Sequence, residues 1–376
     1  MQKIMVIYSH FPNIRMEKEA KTLANHGHTV TVIGWERWGT FPPLNGNYRV
    51  KKFRLNVSPD SLKVAFCLPI WWLFVMLQLL IGRWDVVHAI DFDSFIPALL
   101  MAKMKGKPIV YDIADFYADM IGFPILPGLS RKITAKIDRA LMKFADVIIL
   151  PDESRIEQVG LDAGKKPVVI VNNSPDEGIL RGIVSKSLED KRFTVFYGGG
   201  VAKERGIIEM CLAVEDLHDV QLTITGPCSP SFEAELREVC KNIGNIRLHL
   251  RFVPYKEVIA ETVNAHLLFG LYDPIVPNNR FASPNKLFEA MMCGKPIVVS
   301  DGSSMTEIVR SENCGVIVPY GDVKAIKEAI VKLNSDADLR QQFGANGRRA
   351  YEERYTWDIM ERRLIDLYEG LEKSKL

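Results

Sequence analysis

The sequence has few cysteines and no pattern among them. Cys67, Cys211, Cys228, Cys240, Cys293 and Cys314 form no C-x-x-C pair and sit mostly in apolar stretches. This excludes a zinc site and a disulfide frame, and it points to reduced thiols in a cytosolic core. Charge of one sign is also missing. The 48 Lys and Arg nearly balance 46 Asp and Glu, leaving a net charge of +2. No basic run interleaves with aromatics, so a nucleic-acid groove is excluded. There is no short internal repeat and no low-complexity segment. The apolar strand Lys3 to Tyr8 is followed too soon by Pro12 and charges to read as a leader peptide. One long hydrophobic run is present, with no charge from Val64 to Leu77. A membrane span needs about 20 predominantly apolar residues, and spanning here would tear apart a sheet whose strands lie on both sides. The segment Leu62–Ile81 therefore reads as a core helix or a face lying on a membrane. Trp71, Trp72 and the flanking Lys51, Lys52, Arg54, Lys63 and Arg83 favour an anionic membrane surface, placing the chain in the cytoplasm with peripheral attachment.

What fills the 376 residues is alternation. Short β-branched runs at Ile4–Tyr8, Thr29–Ile33, Val50–Leu55, Val86–Ala89, Ile109–Tyr111, Val147–Leu150 and Val168–Val171 alternate with helical-period stretches. Several are apolar throughout, as strands buried between helices in a parallel sheet are. The pattern breaks into a polar stretch after Asn172 and restarts at Thr194–Tyr197, Gln221–Thr225, Ile246–Leu250, Leu267–Leu271, Pro296–Val299 and Val316–Val318. The expectation is α/β, with two Rossmann-like doubly wound domains facing a central cleft: 1–172, a linker at 173–190, and 191–350. A closing helix within 351–376 either crosses back to the first domain or caps its own.

Two segments of the second half prepare anion sites. Tyr197-Gly198-Gly199-Gly200-Val201-Ala202-Lys203-Glu204-Arg205-Gly206 follows a strand and precedes a helix, so backbone amides approach a ligand unobstructed. Arg205 adds a cation able to fork onto a phosphate. The second segment is Arg280-Phe281-Ala282-Ser283-Pro284-Asn285-Lys286-Leu287-Phe288-Glu289. It reads as a helix with Ser283 as cap and Pro284 at its first position. Lys286 directs a cation at the start of that helix. Glu289, one turn on, suits the two hydroxyls of a ribose. Taken alone, each segment is equally an ordinary loop or cap.

Together these segments resemble the donor half of retaining glycosyltransferases of family four, which have the GT-B fold, and the resemblance runs over nearly the whole chain. Tyr197, Gly199, Val201, Arg205 and Gly206 fall in register with that family's first loop. Glu289, Ala290, Met291, Gly294 and Pro296 match its second motif. The wording Ser283-Pro284-Asn285-Lys286-Leu287-Phe288-Glu289 is similar to the branch that assembles cell-surface or lipid-linked saccharides. Two positions depart: Phe281 replaces the usual first glutamate, and Gly200 the usual arginine.

The resemblance implies a hexosyl transfer with retention, from a nucleoside-diphosphate sugar to a saccharide or lipid-linked acceptor. UDP is the favoured nucleotide and GDP the second. Gly199, Gly200, Arg205, Gly226, Ser283, Pro284, Asn285, Lys286, Leu287 and Glu289 would hold the donor. In the first half, Trp84-Asp85-Val86-Val87-His88-Ala89-Ile90-Asp91 is similar to the family's segment at the cleft rim, although a lone His88 ending an apolar strand reads by itself as a core residue and Asp91, beyond the strand end, is better placed for a ligand. Arg205, Lys286, Glu289, His88 and Asp91 are the expected catalytic set. Asp91-Phe92-Asp93 has a metal-binding spelling but lies in the wrong half for the donor, so no metal and no cofactor beyond the donor substrate are expected. Two other readings remain. A nucleotide-sugar epimerase would turn over without acceptor, and a non-catalytic scaffold subunit would bind donor without hydrolysis or transfer.

Overall fold

A computed structural model describes residues 1–37, 46–57, 63–120, 127–162, 166–184 and 192–373. The end of the expected linker, 185–190, and Leu62 at the head of the apolar segment lie outside them. The chain divides into two compact units, one of Met1–Asn172 with Met360–Leu376 and one of Asn173–Ile359. The last helix, Trp357–Lys373, thus begins in the second unit and from Met360 belongs to the first.

The first unit is built on a seven-stranded sheet in the order β3-β2-β1-β4-β5-β6-β7. Its strands are β1 (Lys3–Phe11), β2 (Thr29–Glu36), β3 (Arg49–Arg54), β4 (Val86–Ile90), β5 (Ile109–Asp112), β6 (Val147–Leu150) and β7 (Val168–Ile170), and every pairing is parallel. All five residues of β4 are buried, which is why its sequence is apolar rather than alternating. Helix α1 (Ile14–Asn25) starts where the Asn13 side chain accepts the amides of Arg15 and Met16. Helix α2 spans Lys63–Ile81 and α3 spans Phe92–Lys105, ending at the left-handed Gly106.

Helix α2 corrects one expectation. Its two tryptophans do not share a membrane-facing side. Trp71 is fully buried, stacked 5.9 Å from Trp35 and 5.8 Å from Phe53. Trp72 is half-buried, and its indole donates to the Asp93 carbonyl at 2.8 Å. The helical period explains this. Trp71, Val75 and Leu79 recur every four residues and face the sheet, whereas Phe66, Ile70, Leu73, Leu77 and Leu80 occupy the opposite side and are exposed. By length and composition α2 is the one described helix able to cross a membrane, yet its inner face belongs to the core of this unit.

The second unit carries a six-stranded parallel sheet in the order β10-β9-β8-β11-β12-β13. These strands are β8 (Phe193–Gly198), β9 (Val220–Thr225), β10 (Ile246–His249), β11 (Leu267–Gly270), β12 (Ile297–Ser300) and β13 (Gly315–Val318). All thirteen strands fall on the expected runs, eleven of them within one residue at each end, while β1 and β2 run three residues further, to Phe11 and Glu36. The sheet buries apolar side chains on both faces, with Tyr197, Phe269 and Leu222 in one cluster and Phe196, Leu268 and Ile297 in another.

Candidate functional site

In the second unit the loops after β8 and β9 meet back to back. Gly226 sits at φ 149°, and a Cβ there would lie 1.8 Å from the Gly199 carbonyl oxygen, so no larger residue fits. Gly199, at φ 130°, would place a Cβ 2.8 Å from the Lys286 ammonium. The Tyr197 hydroxyl donates to the Gly200 carbonyl at 2.6 Å and holds the loop in this shape. Gly200 itself has open space where a side chain would be.

Two cations converge over this floor. Lys286 is buried, and its ammonium lies 4.4 Å from the Tyr197 ring centre and 6.0 Å from that of Tyr272. It makes no ion pair among the described residues. Burial works against its charge, but the Tyr197 and Tyr272 hydroxyls and Glu289 outweigh it, keeping the pKa above the ordinary lysine value. The Arg205 guanidinium stacks 3.9 Å over Tyr272 and donates to Asn279 Oδ1 at 3.0 Å. Tyr272 and Asn279, which orient Arg205, escaped the sequence reading. The only available signal was a tyrosine two residues beyond a buried strand. Lys203 is tied instead to Glu235 at 2.7 Å on the surface.

The helix after Pro284 starts one residue later than expected. It runs Asn285–Met292, with Pro284 as its cap residue at φ −76°, ψ 148°. Ser283 therefore precedes the cap, and its buried hydroxyl has no partner among the described residues. Leu287 donates its amide to Pro284, which leaves the amides of Asn285 and Lys286 as the open end of the helix. Glu289 is buried, and the Tyr255 hydroxyl hydrogen-bonds to it. It is a held carboxylate, not a solvated one.

In the first unit the two expected catalytic residues separate. His88 is completely buried at mid-strand, with Nδ1 2.9 Å from the Tyr368 hydroxyl and Nε2 3.7 Å from both Glu19 and Asp112. This corrects its placement at a substrate-facing rim: the ring belongs to the core. Glu19, His88 and Asp112 have ligand atoms within 4.8 Å of one another, the spacing of a metal site. Arg15 already supplies the cation there, 3.2 Å from Glu19 and bidentate to Asp112 at 3.0 and 2.9 Å. Burial, with Asp112 beside it, pushes the Glu19 carboxyl up to about 7. Asp91, just past the end of β4, takes φ 61°, ψ 164°, a conformation strained for any residue with a side chain. Its Oδ1 accepts the amides of Ala114 and Asp115 at 3.0 and 3.2 Å. Burial first, then Asp115 and Asp93, raise its pKa well above the carboxylate range.

Each unit thus places its polar groups at the carboxyl edge of a parallel sheet, where such sheets bind ligands. Residues 15–176 match the model of "Glycosyltransferase Family 4", and residues 183–350 match that of "Glycosyl transferases group 1". The chain belongs to the family-four glycosyltransferases, with the GT-B fold. The enzyme is 29% identical over 299 residues to the phosphatidyl-myo-inositol mannosyltransferase of Mycobacterium leprae, covering 78% of this chain and 75% of that one. It is 27% identical over 302 residues to the GDP-mannose-dependent monoacylated alpha-(1-6)-phosphatidylinositol monomannoside mannosyltransferase of Corynebacterium glutamicum, covering 74% and 75%. Among solved structures, Anabaena HepE in complex with UDP and glucose superposes with a TM-score of 0.74 at 15% identity, over 98% of this glycosyltransferase and 100% of HepE.

Proposed function

We propose that this glycosyltransferase moves a hexose, with retention of configuration and without a bound metal, from a nucleoside-diphosphate sugar to a lipid-linked or saccharide hydroxyl. The observation that carries the reading is the Lys286 ammonium, buried and in no ion pair among the described residues, against the Gly199 backbone and beside Arg205. A diphosphate supplies the missing charge. As the glycosidic bond breaks, negative charge grows on that diphosphate, so Lys286, Arg205 and the open helix amides act chiefly in the transition state. The departing phosphate oxygen takes the acceptor proton. Both UDP and GDP suit these groups, and relatives bearing lipid-linked names favour an acceptor anchored in a membrane. Titration with UDP and GDP tests the donor site. Lys286→Met is expected to weaken the better nucleotide at least tenfold, and unchanged affinity for both overturns the assignment.

The same reading places the enzyme on the cytoplasmic side of a membrane, held peripherally. The right-handed crossovers through α2, α3 and the helix Pro127–Met142 all advance in one direction along the sheet, so the three lie on one face of it. That face exposes Phe66, Leu73 and Leu77 from α2, Leu100 and Met104 from α3, and Leu129, Ile133 and Ile137 from the third helix. Exposed Lys63, Lys103, Lys132 and Lys136 border it. An apolar patch rimmed by lysines complements an anionic leaflet.

A further inference from the structure

Two of the six thiols meet in the core of the second unit. Cys211 lies in the helix Ile207–Val214 and is fully buried. Cys240 is the last residue of the helix Pro230–Cys240 and is half-buried. Both pack into the apolar cluster that also holds Ile207, Leu222 and Leu236. Their side chains hydrogen-bond to each other. Burial sets the direction of that bond. A charge on Cys211 would be out of reach of water, so Cys211 keeps its proton and donates it to the Cys240 sulfur. The bond, with burial behind it, raises the Cys211 thiol, and the same bond lowers Cys240 against its own partial burial.

Three other cysteines behave differently. Burial pushes the Cys293 and Cys314 thiols up to about 12 and raises Cys228 as well. Cys228 precedes the helix that Cys240 ends, and the 11 residues of that helix hold the two roughly 16 Å apart. Cys211 and Cys240 are already in contact and need only a small closing movement to bridge. A half-buried sulfur with thiolate character is the one an oxidant reaches, and the protonated neighbour behind it is placed to resolve the product.

The place of the pair in the fold gives the bridge a consequence. Helix Ile207–Val214 follows Arg205 and the left-handed Gly206, and helix Pro230–Cys240 follows the loop that starts at Gly226. The glycine floor joins these two loops through the Gly199 amide on the Thr225 carbonyl and the Val201 amide on the Pro227 carbonyl, each at 2.9 Å. A bond from Cys211 to Cys240 fastens the same two strand–helix units a second time, behind the floor.

We propose that Cys211 and Cys240 are a reversible disulfide site, oxidised by a peroxide, that joins the two helices behind the glycine floor. The Cys240 thiolate attacks one peroxide oxygen and breaks the O–O bond, becoming a sulfenic acid. The hydroxide that leaves takes the proton Cys240 gave up and departs as water. The Cys211 sulfur then displaces hydroxide from the Cys240 sulfur, the Cys211 proton goes with it as a second water, and the S–S bond forms. The two sulfurs together pass two electrons to the peroxide. The test treats the full folded chain with hydrogen peroxide, alkylates the remaining thiols and digests with trypsin, which puts Cys211 on residues 206–237 and Cys240 on 238–241. Mass spectrometry is expected to find these peptides joined, lighter than their sum by two hydrogens, and parted again by dithiothreitol. Cys228→Ala should leave the link intact, which excludes the other cysteine of the larger peptide. Cys211→Ala should abolish it and let a dimedone adduct collect on Cys240. If Cys211→Ala does not fold, the wild-type and Cys228→Ala digests decide. Three results overturn the proposal: no linked peptide where peroxide has already oxidised the exposed Met104, a link lost in Cys228→Ala or kept in Cys211→Ala, or a link found only between chains on a non-reducing gel.

Discussion

Glu289 shows how one residue changes meaning between sequence and structure. Its spacing from Lys286 suggested an acceptor of ribose hydroxyls, and the structure holds that carboxylate in place through Tyr255. Glu289→Ala is expected to weaken nucleoside-diphosphate binding by about 1–3 kcal/mol. Replacing the nucleotide by its 2′-deoxy form should penalise the wild type and not the variant; equal penalties would remove the ribose contact. Asp138 offers a separate check, in stability. Its carboxyl accepts the Tyr111 hydroxyl at 3.0 Å, but burial pushes its pKa up to about 7. A carboxyl raised in the folded state retains its proton until pH 7, so its contribution is intact at acid pH and is lost as pH rises from about 4 to 7. Asp138→Asn should match the wild type near pH 4 and exceed it at pH 8 by about 2–4 kcal/mol. Urea melts at the two pH values measure this, and parallel pH profiles would contradict it.

At the scale of the element, α2 separates a buried face from an exposed apolar one, which its composition merges. The hydrophobic run was plain in the sequence, as was its conflict with a spanning role. Which residues turned inward was not, because nearly every side chain in it is apolar and no polar stripe marks a face. Only packing against Trp35 and Phe53 chooses Trp71 for the core. Trp71→Ser is therefore expected to cost about 3–5 kcal/mol of stability, lowering the thermal midpoint with or without lipid. Leu73→Ser with Leu77→Ser changes exposed positions and should leave the circular dichroism melt unchanged while reducing sedimentation with anionic liposomes several-fold. Normal sedimentation of that double variant would reject the docking face. The helix start at Asn285 teaches a smaller lesson. Serine before proline reads as a cap, but the extended Pro284 takes that place and leaves the buried Ser283 hydroxyl without a partner among the described residues.

At the scale of the whole molecule, the proposed reading has side-chain cations and helix amides meet the diphosphate in place of a divalent ion. Transfer should accordingly survive excess EDTA and gain nothing from Mg²⁺ or Mn²⁺. Activity abolished by chelation and restored by metal would refute the electrostatic account.

The sequence by itself determined the thirteen strands and the two-part α/β organisation, and it singled out Gly199, Arg205, Lys286 and Glu289 as candidates for a donor site. These are local properties: buried parallel strands are apolar along their length, and a close backbone approach demands glycine where it occurs. Tertiary structure alone decided that His88 is a core residue held by Tyr368, 280 positions away. It also decided that Tyr272 and Asn279 orient Arg205, and that the Cys211 and Cys240 thiols meet. Those contacts join residues from separate strands and helices, and no spacing along the chain records which side chains a parallel sheet brings to its edge.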